Sequence, residues 1–138
     1  SDGKIITELD NFKLKIELSK CLKNGITSCA ILLMHGYKYI NHEKKISQLA
    51  QSLGFDQVSA SHEISPQIRF VERGDTTVLD AYLTPILKTY IEQLVQNFSG
   101  NLGHKLKFMQ SNGGLISKDL FKGKDAVLSG QIKLHLYP

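Results

Sequence analysis

The sequence predicts an α/β fold, chiefly because residues 27–61 fit a strand, a helix and a second strand in succession. Residues 27–36, TSCAILLMHG, form a nearly continuous apolar run, which is typical of a strand buried on both faces. Residues 41–53 carry an apolar stripe at helical spacing, and residues 57–61, QVSAS, suit a short strand. Because such crossovers join parallel strands, we expect these two strands to be parallel.

The helix of this unit and the segment before it carry recognisable end signals. Asn41 is the expected N-cap of the helix, and Gly54 is its expected C-terminal stop. Residues 10–24 fit the strand period as well as the helix period, but Asp10 as an N-cap and Gly25 as a stop favour a helix.

A long helix is expected in the second half of the chain. Its apolar stripe covers residues 75–98, and Asp75 or Thr76 is the expected N-cap. Pro85 lies inside this pattern, so we expect a kink or a break into two helices there. The preceding residues 62–71 are expected to be a loop followed by a short irregular or helical turn.

The last third of the chain is expected to hold short elements joined by loops. A strand is expected at residues 106–111, a short helical turn at 117–121 and a last strand at 125–130. Residues 132–137, IKLHLY, alternate between apolar and polar side chains, so they are suited to covering an exposed sheet edge or to promoting association.

Composition and charge narrow the class of protein. The chain has 138 residues, of which 41% are hydrophobic and 22% charged, enough to bury a core. The net charge of +4 comes from scattered lysines, so we expect solvated helix faces and no nucleic-acid partner. No apolar run is long enough to span a bilayer. Cys21 and Cys29 lack metal-ligand spacing, which favours a cytoplasmic protein with reduced thiols and no metal site.

The loop Ser111-Asn112-Gly113-Gly114 is the first candidate for a binding site. It follows a predicted strand at the edge where α/β sheets bind ligands, and backbone amides among glycines can cradle an anion. Asn-Gly is also a strong turn pair, and from the spacing alone a hairpin turn is the favoured interpretation.

A second candidate is Arg73-Gly74-Asp75-Thr76-Thr77, at the expected start of the long helix. The segment combines a guanidinium, a carboxylate and two hydroxyls, and a helix start attracts anions through its free amides. A plain capped helix, in which Asp75 and the hydroxyls bind the backbone, explains the same residues equally well.

Histidines provide the remaining candidates. His35 follows the apolar run at a carboxyl edge, where a histidine can contact a substrate, but a satisfied residue at the end of the core is the favoured interpretation. His42 with Glu43 resembles a metal-binding pair, and so does His62 with Glu63. Neither pair has a third ligand at helical spacing, so surface positions are the favoured interpretation. The chain has no serine elbow, P-loop or dinucleotide fingerprint, so its residues alone define a soluble α/β domain.

Three stretches resemble the hydantoinase A/5-oxoprolinase family, in family order. They are residues 25–43, 54–87 and 108–130. The strongest matches are Leu33-Met34-His35, Arg73-Gly74-Asp75, Asp80-Ala81-Tyr82-Leu83-Thr84-Pro85 and the glycine loop. The pieces that resemble the 5-oxoprolinase branch in particular are Asp80-Ala81-Tyr82 and Phe108-Met109-Gln110-Ser111.

The resemblance implies part of an actin-like ATPase fold, in which two ribonuclease-H-like lobes close over a nucleotide. Residues 1–71 would be the C-terminal part of the hydantoinase/oxoprolinase N-terminal domain and would finish the first lobe. Residues 72–130 would start the hydantoinase A/oxoprolinase domain and the second lobe, with the long helix linking the lobes. Residues 131–138 would be a divergent tail.

The resemblance also implies an activity, the hydrolysis of 5-oxo-L-proline to L-glutamate with ATP and Mg²⁺, as a step of glutathione turnover. The catalytic residues would be His35, Arg73 and Asp75, with Arg73 binding the substrate carboxylate. Contacts to substrate or nucleotide would come from Thr76, Thr77, Ser111, Asn112, Gly113 and Gly114. A homodimer is compatible with the sequence.

The chain departs from the family in two places. It lacks the N-terminal segment rich in glycine and threonine that holds phosphate, and after Gly130 it has QIKLHLYP where the family continues into a Pro-Ala-Gly-Gly run. We therefore expect a fragment that does not bind ATP by itself. The alternatives are an N-methylhydantoinase, an acetone-carboxylase-type subunit and a non-catalytic truncated module.

Overall fold

The computed structural model describes residues 4–97, 106–110, 112–126 and 134–136. Their helices and strands are, in chain order, α1 (Asn11–Lys23), β1 (Ser28–Ile31), α2 (Asn41–Leu53), β2 (Gln57–Ala60), α3 (Ser61–Ile64), α4 (Phe70–Asn97), β3 (Leu106–Met109), β4 (Leu115–Ser117), α5 (Gly123–Ala126) and β5 (Leu134–Leu136). The chain divides into two compact units between Ala81 and Tyr82. The mixture of helices and strands confirms the α/β class.

The first unit contains the predicted strand, helix and strand. β1 and β2 are parallel, with Ser28 opposite Gln57 and Ile31 opposite Ala60, and α2 forms the crossover. Ile31, Ile46 and Ala60 are the buried centre of the apolar core in this unit. The parallel pairing confirms the prediction from the apolar pattern.

The expectation of a long strand buried on both faces is wrong. β1 has four residues, and Ala30 within it is exposed. The chain leaves the strand after Ile31 and turns. The apolar run therefore supplies side chains to a loop as well as to a strand, which its composition alone did not distinguish.

The helix ends of the first unit follow the expected signals at three of four positions. Asp10 accepts a hydrogen bond from the Lys13 amide at 3.0 Å, and Gly25 adopts a φ of +81° just beyond α1. Gly54 ends α2 with a φ of +99°. The predicted Asn41 cap is wrong, because Asn41 lies inside α2 and the N-cap is Ile40, which makes no side-chain cap bond.

The long helix α4 begins at Phe70, five residues before the expected start, and runs through Pro85 without a break. An internal proline removes one backbone hydrogen bond of the helix and crowds the preceding turn. Ala81 and Leu87, on either side of the proline, are both buried.

Polar contacts hold the part of α4 that belongs to the first unit against β2. The Ser59 hydroxyl donates to the buried Asp80 carboxylate at 2.7 Å, and the side-chain amide of Gln57 donates to Ser59 at 3.0 Å. Asp80, one of the residues that carry the family resemblance, therefore has a structural partner on the neighbouring strand.

The second unit contains an antiparallel sheet in the order β4-β3-β5. Its core packs Leu87 and Ile91 of α4 with Leu106 and Phe108 of β3 and with Phe121. The rings of Phe108 and Phe121 are stacked, with centroids 5.3 Å apart. The apolar face of α4 thus covers one side of this sheet.

Three short elements of the second unit test the predictions for the last third of the chain. β5 pairs with β3 from Leu106 opposite Leu136, as expected of a segment suited to a sheet edge. β4 is not among the predicted elements. Its last residue, Ser117, is the first residue of the expected turn at 117–121, and the observed turn begins at Lys118. Asp125 and Ala126 lie in helix α5 where a strand was expected, and residues 127–130 lie outside the described ranges.

None of the helices in the described ranges is both long and apolar enough to cross a membrane.

Candidate functional site

A tight turn after β1 carries His35 at its exposed tip. The amide of Gly36 donates to the Leu33 carbonyl at 3.0 Å, and the amide of Tyr39 donates to the His35 carbonyl at 2.8 Å. Met34, next to His35, is 63% exposed. We call residues 32–39 the His35 turn. Its backbone is compact while its tip is open to solvent.

The carboxylate of Glu43, in the first turn of α2, holds one side of this turn. It is completely buried and accepts four hydrogen bonds. One oxygen accepts from the Leu33 amide at 2.8 Å and from the Ser61 hydroxyl at 2.7 Å. The other accepts from the His62 amide at 2.9 Å and contacts His62 Nδ1 at 2.8 Å. Glu43 therefore joins the His35 turn to the junction between β2 and α3.

The hydrogen bonds keep Glu43 ionised. Burial raises the pKa of this carboxyl, but the hydrogen bonds from Ser61, Leu33 and His62 outweigh burial and hold the pKa below its ordinary value. An ionised carboxylate only accepts hydrogen bonds, so His62 Nδ1 carries a proton. His62 Nε2 lies 3.6 Å from the Glu63 carboxylate, and Nε2 has no hydrogen-bond partner among the described residues.

Gly36 makes the approach of the carboxylate possible. A Cβ atom built on Gly36 would overlap the side-chain oxygen Oε1 of Glu43. A larger residue would displace either the turn or the buried carboxylate, so this position requires glycine for space rather than for an unusual backbone angle.

Arg73 of α4 holds the other side of the His35 turn. Its guanidinium is completely buried. One terminal nitrogen donates to the carbonyl of Leu33 at 2.7 Å and to that of Met34 at 3.1 Å. The other donates to the carbonyl of Gln67 at 2.7 Å. The peptide groups on both sides of Leu33 are thus bound by buried charges, the amide by Glu43 and the carbonyl by Arg73.

Two aromatic rings complete the surroundings of the guanidinium. The Arg73 carbon Cζ lies 5.5 Å from the ring centroid of Tyr37 and 5.7 Å from that of Phe70. Aromatic faces attract a guanidinium, and this contact strengthens when water is excluded. Tyr37 belongs to the His35 turn, so it adds a third contact between Arg73 and this turn.

The expected anion site at a helix start is wrong in its geometry, because residues 73–77 lie inside α4. The Arg73 amide donates to the Arg69 carbonyl at 3.0 Å, so it is already paired. The hydroxyls of Thr76 and Thr77 bind carbonyls of the preceding turn, at 2.9 Å and 2.6 Å, and Asp75 is exposed. Ligand contacts by these residues stay predictions without the support of free helix-start amides.

The surface interpretation of Glu43 and His62 is also wrong. Their side chains are 0% and 6% exposed. Both residues have charged neighbours in the sequence, a pattern typical of a solvated helix face. The sequence therefore does not reveal that they are buried. The fold topology provides a signal for this burial. The segment around Leu33 follows β1, and His62 follows β2. The carboxyl ends of parallel strands meet at one edge of the sheet, so these segments come together.

The glycine loop of the second unit forms the turn of the hairpin between β3 and β4. The Gln110 amide donates to the Gly114 carbonyl at 2.7 Å, and the Gly113 amide donates to the Gln110 carbonyl at 2.9 Å. The Gly114 amide donates to the Asn112 side chain at 2.8 Å. Both glycine amides are occupied within the turn, which favours the turn interpretation. Ser111 lies outside the described residues.

The fold and this site define an α/β protein in which buried charges hold an exposed histidine turn in place. Comparison with family models narrows this class to one family. Residues 1–54 match the hydantoinase/oxoprolinase N-terminal region, and residues 73–132 match the hydantoinase/oxoprolinase model. The chain belongs to the hydantoinase/oxoprolinase family.

Curated relatives and a solved structure agree with this family. The chain is 40% identical over 119 residues to a 5-oxoprolinase of Dictyostelium discoideum, covering 86% of this chain and 9% of the relative. It is 41% identical over 128 residues to 5-oxoprolinase 1 of Arabidopsis thaliana, covering 92% and 10%. It resembles the crystal structure of an ATP-dependent caprolactamase from Pseudomonas jessenii with a TM-score of 0.80 at 29% identity, covering 94% and 19%. The chain thus spans about a tenth of the length of these two curated relatives.

Proposed function

We propose that this chain is part of an ATP-dependent 5-oxoprolinase, which opens the lactam ring of 5-oxo-L-proline to give L-glutamate and serves glutathione turnover. The observation that supports it most is the 40–41% identity to two relatives named 5-oxoprolinase, against 29% to the caprolactamase. Because the chain spans about a tenth of the 5-oxoprolinases, the activity is proposed for the full-length protein.

The chemistry of the substrate explains why ATP is required. A lactam nitrogen is a poor leaving group. ATP supplies a phosphoryl group for the amide oxygen, which makes the carbonyl carbon more electrophilic toward attack by water. The amides of Gly113 and Gly114 already donate within the hairpin turn, so they do not offer free donors for a phosphate. We propose that other parts of the full-length protein bind ATP and Mg²⁺.

The His35 turn is the part of this chain that we assign to the substrate. His35 is exposed while the backbone on its N-terminal side is fixed by buried charges, and functional side chains on rigidly held loops are suited to binding. A histidine there can donate a hydrogen bond to a polar group of the lactam and orient it for attack.

A histidine replacement tests this assignment in a full-length 5-oxoprolinase with the same residues at the aligned positions. His35→Ala is expected to lower kcat/KM for 5-oxo-L-proline by roughly 10- to 100-fold, the equivalent of one lost hydrogen bond of about 1–3 kcal/mol. Lys38→Ala, exposed in the same turn, is the control and is expected to leave kcat/KM within about twofold, as for most exposed positions. An unchanged kcat/KM in His35→Ala would remove His35 from the site.

A second candidate is a hydrolase for another cyclic amide, favoured by the structural similarity to the caprolactamase. Product release from 5-oxo-L-proline, caprolactam and N-methylhydantoin by the same full-length protein distinguishes the two. Turnover of 5-oxo-L-proline alone supports the first proposal, and turnover of caprolactam or N-methylhydantoin alone contradicts it.

The architecture of the whole protein is proposed from the family resemblance. We propose two ribonuclease-H-like lobes, with residues 1–71 ending the first, residues 72–130 starting the second, and residues 131–138 forming a divergent tail. The α/β composition supports this arrangement, and a structure of the full-length protein with a nucleotide analogue tests it.

A further inference from the structure

We infer that Glu43 and Arg73 are positioning residues, which fix the backbone of the His35 turn so that His35 meets the substrate in one orientation. This inference rests on the proposed function, in which His35 contacts the lactam. It assigns to Arg73 a role through the protein backbone, whereas the sequence predicted a direct contact with the substrate carboxylate.

Two opposite charges are arranged around the backbone of one residue, Leu33. Glu43 accepts from the Leu33 amide, and Arg73 donates to the Leu33 and Met34 carbonyls. Met34 directly precedes His35 in the chain. Two opposite charges therefore fix the peptide groups that lead into the histidine, and hydrogen bonds to charged groups are shorter and stronger than neutral ones.

Glu43, Arg73 and their hydrogen-bond partners join several elements of the first unit. Glu43 is on α2, its partners Ser61 and His62 begin α3, and Arg73 is on α4. A displacement of the His35 turn would break bonds to two helices at once. A Cβ atom on residue 36 would overlap the Glu43 carboxylate, so the backbone of the turn lies directly against this carboxylate.

Charged side chains hold a turn differently from apolar side chains. Apolar side chains hold a loop without fixing the direction of its peptide groups, and buried charges are often no more stabilising than well-packed apolar residues. Buried charges with several directional bonds favour one backbone orientation. Here that orientation serves a turn whose tip, at Met34 and His35, is exposed rather than packed.

A double-mutant cycle in the full-length enzyme tests the inference. Glu43→Gln is expected to lower kcat by roughly 10- to 100-fold, as a displaced catalytic group does, with KM changed by less than about threefold. In a His35→Ala background the same replacement is expected to have little further effect, because a residue that acts through His35 has nothing left to position. Arg73→Lys, which keeps the charge but not the planar fork, is expected to behave in the same way.

A milder variant keeps the test decisive if Glu43→Gln does not fold. Ser61→Ala removes one of the four hydrogen bonds to Glu43 and leaves the carboxylate in place. It is expected to lower kcat by roughly two- to tenfold, less than Glu43→Gln because three of the four hydrogen bonds remain, and only when His35 is present. Circular dichroism of each variant establishes that it is folded.

The outcomes separate this inference from the proposed function. An unchanged kcat/KM in His35→Ala overturns the proposed role of His35. A reduced kcat/KM in His35→Ala, combined with folded Glu43→Gln and Ser61→Ala variants that retain full activity, overturns the inference alone. Fully additive effects of His35 and Glu43 replacements also overturn it, because independent residues give independent losses.

Discussion

Glu43→Gln is expected to lower the free energy of unfolding of the first unit by about 3–5 kcal/mol, because two hydrogen bonds to a buried charged acceptor are lost and each contributes about 1.5–3 kcal/mol. The replacement puts an amide NH₂ where an oxygen accepts two hydrogen bonds, so two buried donors lose their acceptor. Depending on the orientation of the amide, these donors belong to Leu33 and Ser61 or to His62. Each unsatisfied buried donor costs about 1–3 kcal/mol.

Urea unfolding followed by circular dichroism at neutral pH measures this loss. Glu8→Gln is the matched control, since the Glu8 side chain is 72% exposed and 3.9 Å from Lys45. It is expected to change stability by less than about 0.5 kcal/mol, as exposed ion pairs usually do. Equal midpoints for the Glu43 and Glu8 variants would show that the buried hydrogen bonds do not hold the unit together.

The same carboxylate predicts how stability depends on pH. The pKa of Glu43 is lowered in the folded state from 4.5, so the unfolded chain binds more protons as the pH falls below this value. The stabilisation is therefore complete above about pH 4.5 and is lost as the pH falls through the folded pKa. Glu43→Gln is expected to flatten the fall in stability below this pH, and an unchanged slope would contradict the assignment.

Arg73→Met is expected to lower the free energy of unfolding of the first unit by about 2–4 kcal/mol, because three hydrogen bonds from a buried charged group are lost. Methionine keeps much of the apolar stem but cannot donate to Gln67, Leu33 or Met34. Urea unfolding again provides the measurement.

A matched control lies one helical turn earlier in the same chain. Arg69 pairs with Glu72 at 2.8 Å, but its side chain is 77% exposed, so Arg69→Met is expected to cost less than about 1 kcal/mol. A loss at Arg73 no larger than the loss at Arg69 would mean that the guanidinium does not support the His35 turn.

Much of the first unit was predictable because its signals are local. The apolar stripe and Gly54 located α2, and Asp10 with Gly25 located α1. The parallel pairing followed from the order of strand, helix and strand. These predictions needed only period, caps and connection length.

The start of α4 was misplaced because a local signal had two explanations. Asp75 and Thr76 look like an N-cap, but the helix had already begun at Phe70, and Thr76 uses its hydroxyl on a carbonyl inside the helix. The early start matters for the site, because it turns Arg73 inward onto carbonyls instead of leaving it beside free amides.

The contacts of Glu43 and Arg73 with the His35 turn join residues that are far apart in the sequence. The periodic pattern of apolar residues does not predict such contacts. Leu33 and Arg73 are separated by forty residues, and Glu43 and Ser61 by eighteen. The sequence places His35 at the end of a strand, whereas in the structure it lies in the turn that follows β1, four residues beyond Ile31. The residues that hold its turn could be found only from the fold.

Amide hydrogen exchange at Leu33 tests the central claim most directly, because this N–H donates to the buried Glu43 carboxylate and leads into the His35 turn. The account predicts that Leu33 exchanges as slowly as the core amide of Ile31 in the wild-type chain and much faster in Glu43→Gln. Exchange at the rate of an unstructured peptide in the wild-type chain would contradict it.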